Sequence, residues 1–154
     1  MKEGVKLKIQ TTNFGEIEIL EENIINFPSG LLAFEDQKDF TIVDNEDEEN
    51  PFMWLQSLNN PDLAFVIINP FVFKSDYDFN ISESTVEKLK IKSQKDLSIY
   101  TIVVIPEDIK EMTANLSGPI IINNKERLGK QIIVDNNDYT TKYKLFTDPK
   151  GQED

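Results

Sequence analysis

Val5, Leu7 and Ile9 alternate with polar residues, and so do Ile17 and Ile19. A period of two predicts strands with one buried face. Asn13-Phe14-Gly15 between the two runs predicts a hairpin connection. Residues 24–27 predict a third strand, halted by Pro28. Pro28-Ser29-Gly30 then has turn chemistry, with Leu31, Leu32 and Phe34 expected in the core. Residues 40–43 predict another short strand. The apolar runs 52–58 and 63–68 are split by Asn59-Asn60-Pro61-Asp62 and predict a hairpin.

The pattern changes at 81–91. Ser84, with Glu87 three residues on, has the form of a capping box, and Val86 and Leu89 follow at helical spacing. One short helix is expected over about 84–91. Residues 97–105 (LSIYTIVVI) are the most apolar strand candidate, predicted to be central and ended by Pro106. One helical turn is expected at 107–112, and strands at 120–123, 131–134 and 139–146. Residues 112–119 (MTANLSGP) have neither alternation nor helical spacing and suit an ordered loop or bulged edge strand. These elements predict an all-β fold: a single antiparallel domain over 1–146, barrel-like or sandwich, with one short helix and a frayed tail at 147–154.

Composition changes this picture mainly by exclusion. The 154 residues suffice for one sizeable core. No apolar run approaches the ~20 residues of a membrane span, and the N-terminus lacks the apolar stretch of a signal peptide, so a cytoplasmic protein without membrane contact is expected. Cysteine and histidine are both absent. The usual zinc, copper and haem ligands are therefore missing, as are the parts of a Ser-His-Asp or Cys-His relay. No catalytic residue, cofactor or metal ligand is assigned.

The net charge is −12, and it is uneven: residues 1–50 hold 13 acids against 4 bases. Direct nucleic-acid binding is disfavoured, because such affinity rests on lysines and arginines displacing counterions. Lys88, Lys90, Lys92 and Lys95 form the densest basic patch, and without interleaved aromatics they read as a solvated face. Residues 44–50 (DNEDEEN) carry Asp44, Glu46, Asp47, Glu48 and Glu49 directly before Phe52, Met53 and the only tryptophan, Trp54. The bland reading is a solvated loop; the sharper one is an acidic lip that steers a basic protein toward the aromatic strand. Trp54 is either core or an interface anchor. Gln56 beside it favours an accessible edge, since a buried Gln needs several partners.

FPSGLLAFE at 27–35, WLQSL with PDLAF at 54–65, MTANL at 112–116, and GPIIIN with KQIIVD downstream together resemble the FliW family of flagellar assembly factors. The match runs from about Lys6 to Phe146. The resemblance implies a small cytoplasmic β-rich protein without a cofactor. It also implies two partners: CsrA, a basic dimeric RNA-binding repressor of translation, and flagellin. Flagellin abundant in the cytoplasm would occupy the FliW-like protein and leave CsrA to repress the flagellin message. Export of flagellin would free the FliW-like protein to capture CsrA. A dedicated flagellin chaperone is the alternative. Two positions depart from the family pattern: Ala33 stands where glycine is expected, and Asn69 where an aspartate often precedes proline. The motifs do not separate the two contact sets. Trp54, Gln56, Phe71, Asn115 and Leu116 are the contact candidates, with the five acids of 44–49 as steering groups. Phe27, Leu31, Leu63, Phe65 and Val66 are expected in the core.

Overall fold

The computed structural model describes residues 4–44, 47 and 49–146. Strands β1 (Lys6–Thr11) and β2 (Gly15–Leu20) form a two-stranded antiparallel ribbon, joined as the alternation predicts. The remaining strands form one sheet: β3 (Ile25–Asn26), β4 (Asp39–Val43), β5 (Met53–Ser57), β6 (Ala64–Ile68), β7 (Leu97–Val104), β8 (Thr113–Ala114), β9 (Ile120–Asn123), β10 (Leu128–Gln131) and β11 (Tyr143–Lys144).

This sheet closes. Its order runs β7-β6-β5-β4-β3-β10-β9, and β9 pairs back onto β7, giving a seven-stranded barrel. The eight-residue β7 makes closure possible. One edge meets β6; the other meets β9 through Leu97–Tyr100 and then β8 through Val103 and Val104. The expectation that this strand is central holds. All pairings are antiparallel except β3 with β10.

The inward positions fill the barrel. Ile25, Phe27, Leu31, Phe40, Leu55, Ile67, Ile120 and Ile122 are buried together, with Met53, Leu63, Phe65 and Ile102 packed against them. Gly129 on β10 is where the ring of Phe27 lies against the backbone: a Cβ there would stand 2.6 Å from two ring atoms. A second cluster lies on the outer face. There Ile68, Val103, Met112 and Ala114 are buried, with Val66, Phe52, Phe73 and Leu145 packed around them.

Several expectations shift. The helix α1 is Glu83–Lys88, and its cap is Ser82, whose hydroxyl accepts from the Thr85 amide, rather than Ser84. The strand expected at 131–134 forms earlier, at Leu128–Gln131. The one expected at 139–146 reduces to Tyr143–Lys144. The turn at 107–112 is a 3-10 turn, Ile109–Glu111. Leu31 is buried as expected, but Leu32 and Phe34 are 43% and 37% exposed at the barrel rim. Phe34 caps Phe65 edge-on at 5.5 Å. The tail at 147–154 lies outside the described residues.

The FPSGLLAFE segment acts as a backbone device. Gly30 has φ +69°, and a Cβ there would lie 2.4 Å from the Glu35 carbonyl oxygen, so only glycine fits. Ala33 holds φ +71°. The left-handed turn is thus kept where the glycine of the family pattern is absent. Gln131 ties this segment to the other side of the rim. Its Oε1 accepts from the Leu32 amide at 3.0 Å, and its Nε2 donates to the Gly118 carbonyl at 2.9 Å.

Candidate partner-binding surfaces

On β5, alternation sends Met53 and Leu55 into the barrel and turns Trp54 and Gln56 outward, under the ribbon. The ribbon is fastened at its tip. The Thr12 amide donates to the Pro61 carbonyl at 2.9 Å, and the Thr12 hydroxyl donates to Asp62. Trp54 is half-buried, with Phe14 standing edge-on over it. Gln56 has no exposed surface, which corrects the expected accessible edge. Its Nε2 lies 3.0–3.4 Å from the carbonyls of Ser57, Asn60, Pro61 and Leu63. The β5–β6 turn folds its carbonyls around that amide. Gln56 is a structural residue and presents nothing to a partner.

Leu116 requires the same correction, being fully buried. Its amide donates to the Thr140 carbonyl at 2.9 Å, and its carbonyl accepts from the Tyr77 hydroxyl at 2.5 Å. Asn115 is half-buried, and its Oδ1 accepts from the amides of Ser117 and Gly118 at 3.0 and 2.9 Å. That side-chain oxygen holds the turn into β9.

The acidic loop leaves β4 and enters β5 at one end of the barrel. Asp44, Asp47 and Glu49 are exposed; Glu46 and Glu48 lie outside the described residues. Asp47 organises the loop locally, its carboxylate accepting from the Glu49 amide at 3.0 Å. At this same end β6 runs out into a 3-10 turn, Pro70–Val72. Asn69 caps that turn by accepting from the Phe71 amide at 2.9 Å, a role an aspartate would also fill, so this departure leaves the turn intact. Phe71 is 42% exposed and Val72 61%. Phe71 and Val72 are thus exposed apolar side chains at the acids' end of the barrel, whereas Trp54 is covered by the ribbon. Sequence reading did not single out Val72, which lies beyond Pro70 and outside every motif and predicted strand.

Behind Phe71 lies an aromatic cluster. Tyr77 is buried, with ring centroids 6.0 Å from Phe71, 5.3 Å from Phe79 and 4.7 Å from Tyr139. Burial pushes its hydroxyl pKa up, and Tyr139 adds to the shift. A cavity of about 310 Å³ opens beside it, walled by Phe71, Phe79, Ile81, Leu97 and Ile99. Lys74 and Asp76 pair at 3.1 Å, and their hydrogen bond raises the lysine pKa and lowers that of the aspartate.

Among the described residues, no three acidic or other metal-ligating side chains converge on one point. Lys88, Lys90, Lys92 and Lys95 are exposed, as expected of a solvated face. Among the described residues, no helix is long and apolar enough to cross a membrane.

A family model described as FliW protein matches residues 8–145. A flagellar assembly factor FliW of Alkaliphilus metalliredigens is 53% identical over 138 residues, 90% of this chain and 85% of that protein. One from Caldicellulosiruptor bescii is 46% identical, covering 96% of each chain. A crystal structure of the flagellar assembly factor FliW superposes with a TM-score of 0.86 at 39% identity, covering 93% of this chain and 99% of that one.

Proposed function

The chain belongs to the FliW family of flagellar assembly factors, and on that premise we propose that it works in the cytoplasm as a stoichiometric binding protein with two competing partners. One is the basic RNA-binding repressor CsrA; the other is flagellin. Held by this protein, CsrA no longer represses the flagellin message. Held by flagellin, the protein releases CsrA. The role is one of binding rather than catalysis.

The observation that carries this reading is the joining of charge and apolar surface at one end of the barrel. Asp44, Asp47 and Glu49 stand exposed on the loop at the same end of the barrel as the turn that presents Phe71 and Val72. A carboxylate-rich lip accelerates encounter with a basic protein, and the apolar turn supplies short-range contact. The net charge of −12 adds a repulsive field against RNA near any captured RNA-binding protein.

Titration calorimetry with purified CsrA from the same organism, repeated after saturation with flagellin, tests the reading. Stoichiometric CsrA binding that flagellin abolishes supports the exchange. Binding indifferent to flagellin overturns the competition. Flagellin binding without CsrA binding would instead favour a dedicated flagellin chaperone, a reading to which the exposed Phe71 and Val72 also lend themselves.

A further inference from the structure

Between the ribbon and the barrel lies a cavity of about 470 Å³, walled by residues 17–20 of β2, residues 41–43 of β4, Asn23 and Lys6. Consecutive residues line it from both strands. Successive side chains of a strand point to opposite faces, so each strand presents its edge to the space.

Among the described residues both edges are unfinished, and β2 pairs only with β1. The Glu21 amide donates to Val5, its opposite number in the register. Hydrogen-bonded and non-hydrogen-bonded pairs alternate along an antiparallel ladder, so Ile17 and Ile19 bond to β1. Glu16, Glu18 and Leu20 then aim their N–H and C=O groups away from it. On β4, the ladder to β3 stops at Ile25–Phe40. The Leu58 amide donates to Asp39, which fixes the β4–β5 alternation and turns the backbone of Ile42 toward the same gap.

We propose that this slot is a β-augmentation site that takes an extended segment of a partner protein with basic and apolar residues in alternation. The pattern follows from β2. Glu16 and Glu18 are exposed on one face, while Ile17 and Ile19 lie half-buried on the other. A strand laid along β2 therefore meets acids on its outer face and isoleucines on its inner face. β1 satisfies the same rule on the opposite edge of β2, with Lys8 across from Glu18 and Leu7 across from Ile19. Lys6 marks the Leu20 end of the cavity, so the partner's bases belong beside Glu16 and Glu18. A second β2 edge is an unsuitable occupant, because its own glutamates would meet these. The inference does not depend on which protein supplies the segment, and it stands or falls apart from the proposed exchange of CsrA and flagellin.

The full chain, labelled with ¹⁵N, is mixed with the peptide acetyl-KVKVKVK-amide, and amide hydrogen exchange is followed residue by residue. A block peptide, acetyl-KKKKVVV-amide, has the same composition. The alternating peptide is expected to slow exchange at Glu16, Glu18, Leu20 and Ile42 by about tenfold or more at saturation, with the block peptide much weaker. Equal protection by both peptides, or protection elsewhere or nowhere, overturns the proposal. Glu18→Pro removes an N–H aimed into the slot while leaving the β1 ladder its bonds, and should abolish the protection. Should that variant misfold, Glu16→Lys with Glu18→Lys carries the test, and unchanged binding overturns the proposal. Concentration-dependent protection of the same amides without peptide would assign the slot to a second copy of this chain, and would equally overturn it.

Discussion

Phe14 at the tip of the ribbon stands edge-on to Trp54 on the barrel wall, with ring centroids 5.4 Å apart and planes at 83°. This T-shaped pair is the ribbon's aromatic fastening, and it sits next to the Thr12–Pro61 hydrogen bond. Phe14→Ala should lower stability by about 1–2 kcal/mol, from the aromatic pair and the lost apolar area together. Trp54 is the only tryptophan, so its emission reports the site without ambiguity. The maximum should move to longer wavelength as water reaches the indole. Unchanged emission in the variant would mean that the ribbon does not shield Trp54 in solution.

Ala33 offers a stabilising substitution. Its φ of +71° costs an L-residue about 1–2 kcal/mol. Ala33→Gly removes that strain and returns about 0.4–1 kcal/mol to the unfolded chain as entropy. A net gain of about 0.5–1 kcal/mol is expected, read as a higher urea midpoint at unchanged slope. A lower midpoint would show that the turn bears no strain at this position.

Much of the fold was legible because local pattern and burial agree. Leu7, Ile9, Ile17 and Ile19 alternate as the ribbon requires, and Asn59-Asn60-Pro61-Asp62 turns between β5 and β6 as its residue types dictate. What sequence could not give depends on distant partners. β10 forms at Leu128–Gln131 rather than over the more apolar 131–134, because Gly129 must receive the ring of Phe27, about a hundred residues earlier. Ser82 and Ser84 both suit a helix cap, and the choice between them falls with the burial of Thr85 and Leu89. The site was less legible. A glutamine's burial is decided by whether carbonyls gather around it. Those around Gln56 come from a turn whose curl no period reveals. Phe71 is a contact candidate from the sequence and is exposed, but its exposed neighbour Val72 falls in no predicted strand or motif that would mark it.

Alkali should destabilise the fold through the buried Tyr77 and the half-buried Tyr100. Burial raises the Tyr77 pKa above its ordinary 10.0. Burial is also the main cause at Tyr100, reinforced by Asp44 and opposed by Ser98 and Arg127. Both hydroxyls are neutral when protonated. With the folded pKa above the unfolded one, the stabilisation is complete below pH 10 and is lost as pH rises beyond it, because the unfolded chain releases its protons first. The urea midpoint should therefore fall steadily above pH 10, and Tyr77→Phe should flatten that fall. An equally steep decline in the variant would assign the alkaline loss to other groups.

Charge and contact at the acidic end of the barrel should separate kinetically. Reversal of Asp44, Asp47 and Glu49 to lysine removes part of the attractive field without touching the apolar turn. The association rate with CsrA should then drop about tenfold at low salt, and its salt dependence should flatten, since exposed charges act over a Debye length of about 10 Å at 0.1 M. Phe71→Ala with Val72→Ala should leave association nearly unchanged and raise the dissociation rate, because buried apolar contact is lost only after encounter. Both residues are exposed, so neither substitution opens the core. Stopped-flow measurements over a salt series distinguish the two effects. If charge reversal alters only dissociation, the acids are contact residues rather than steering groups. If the apolar pair changes neither rate, CsrA docks elsewhere on the barrel.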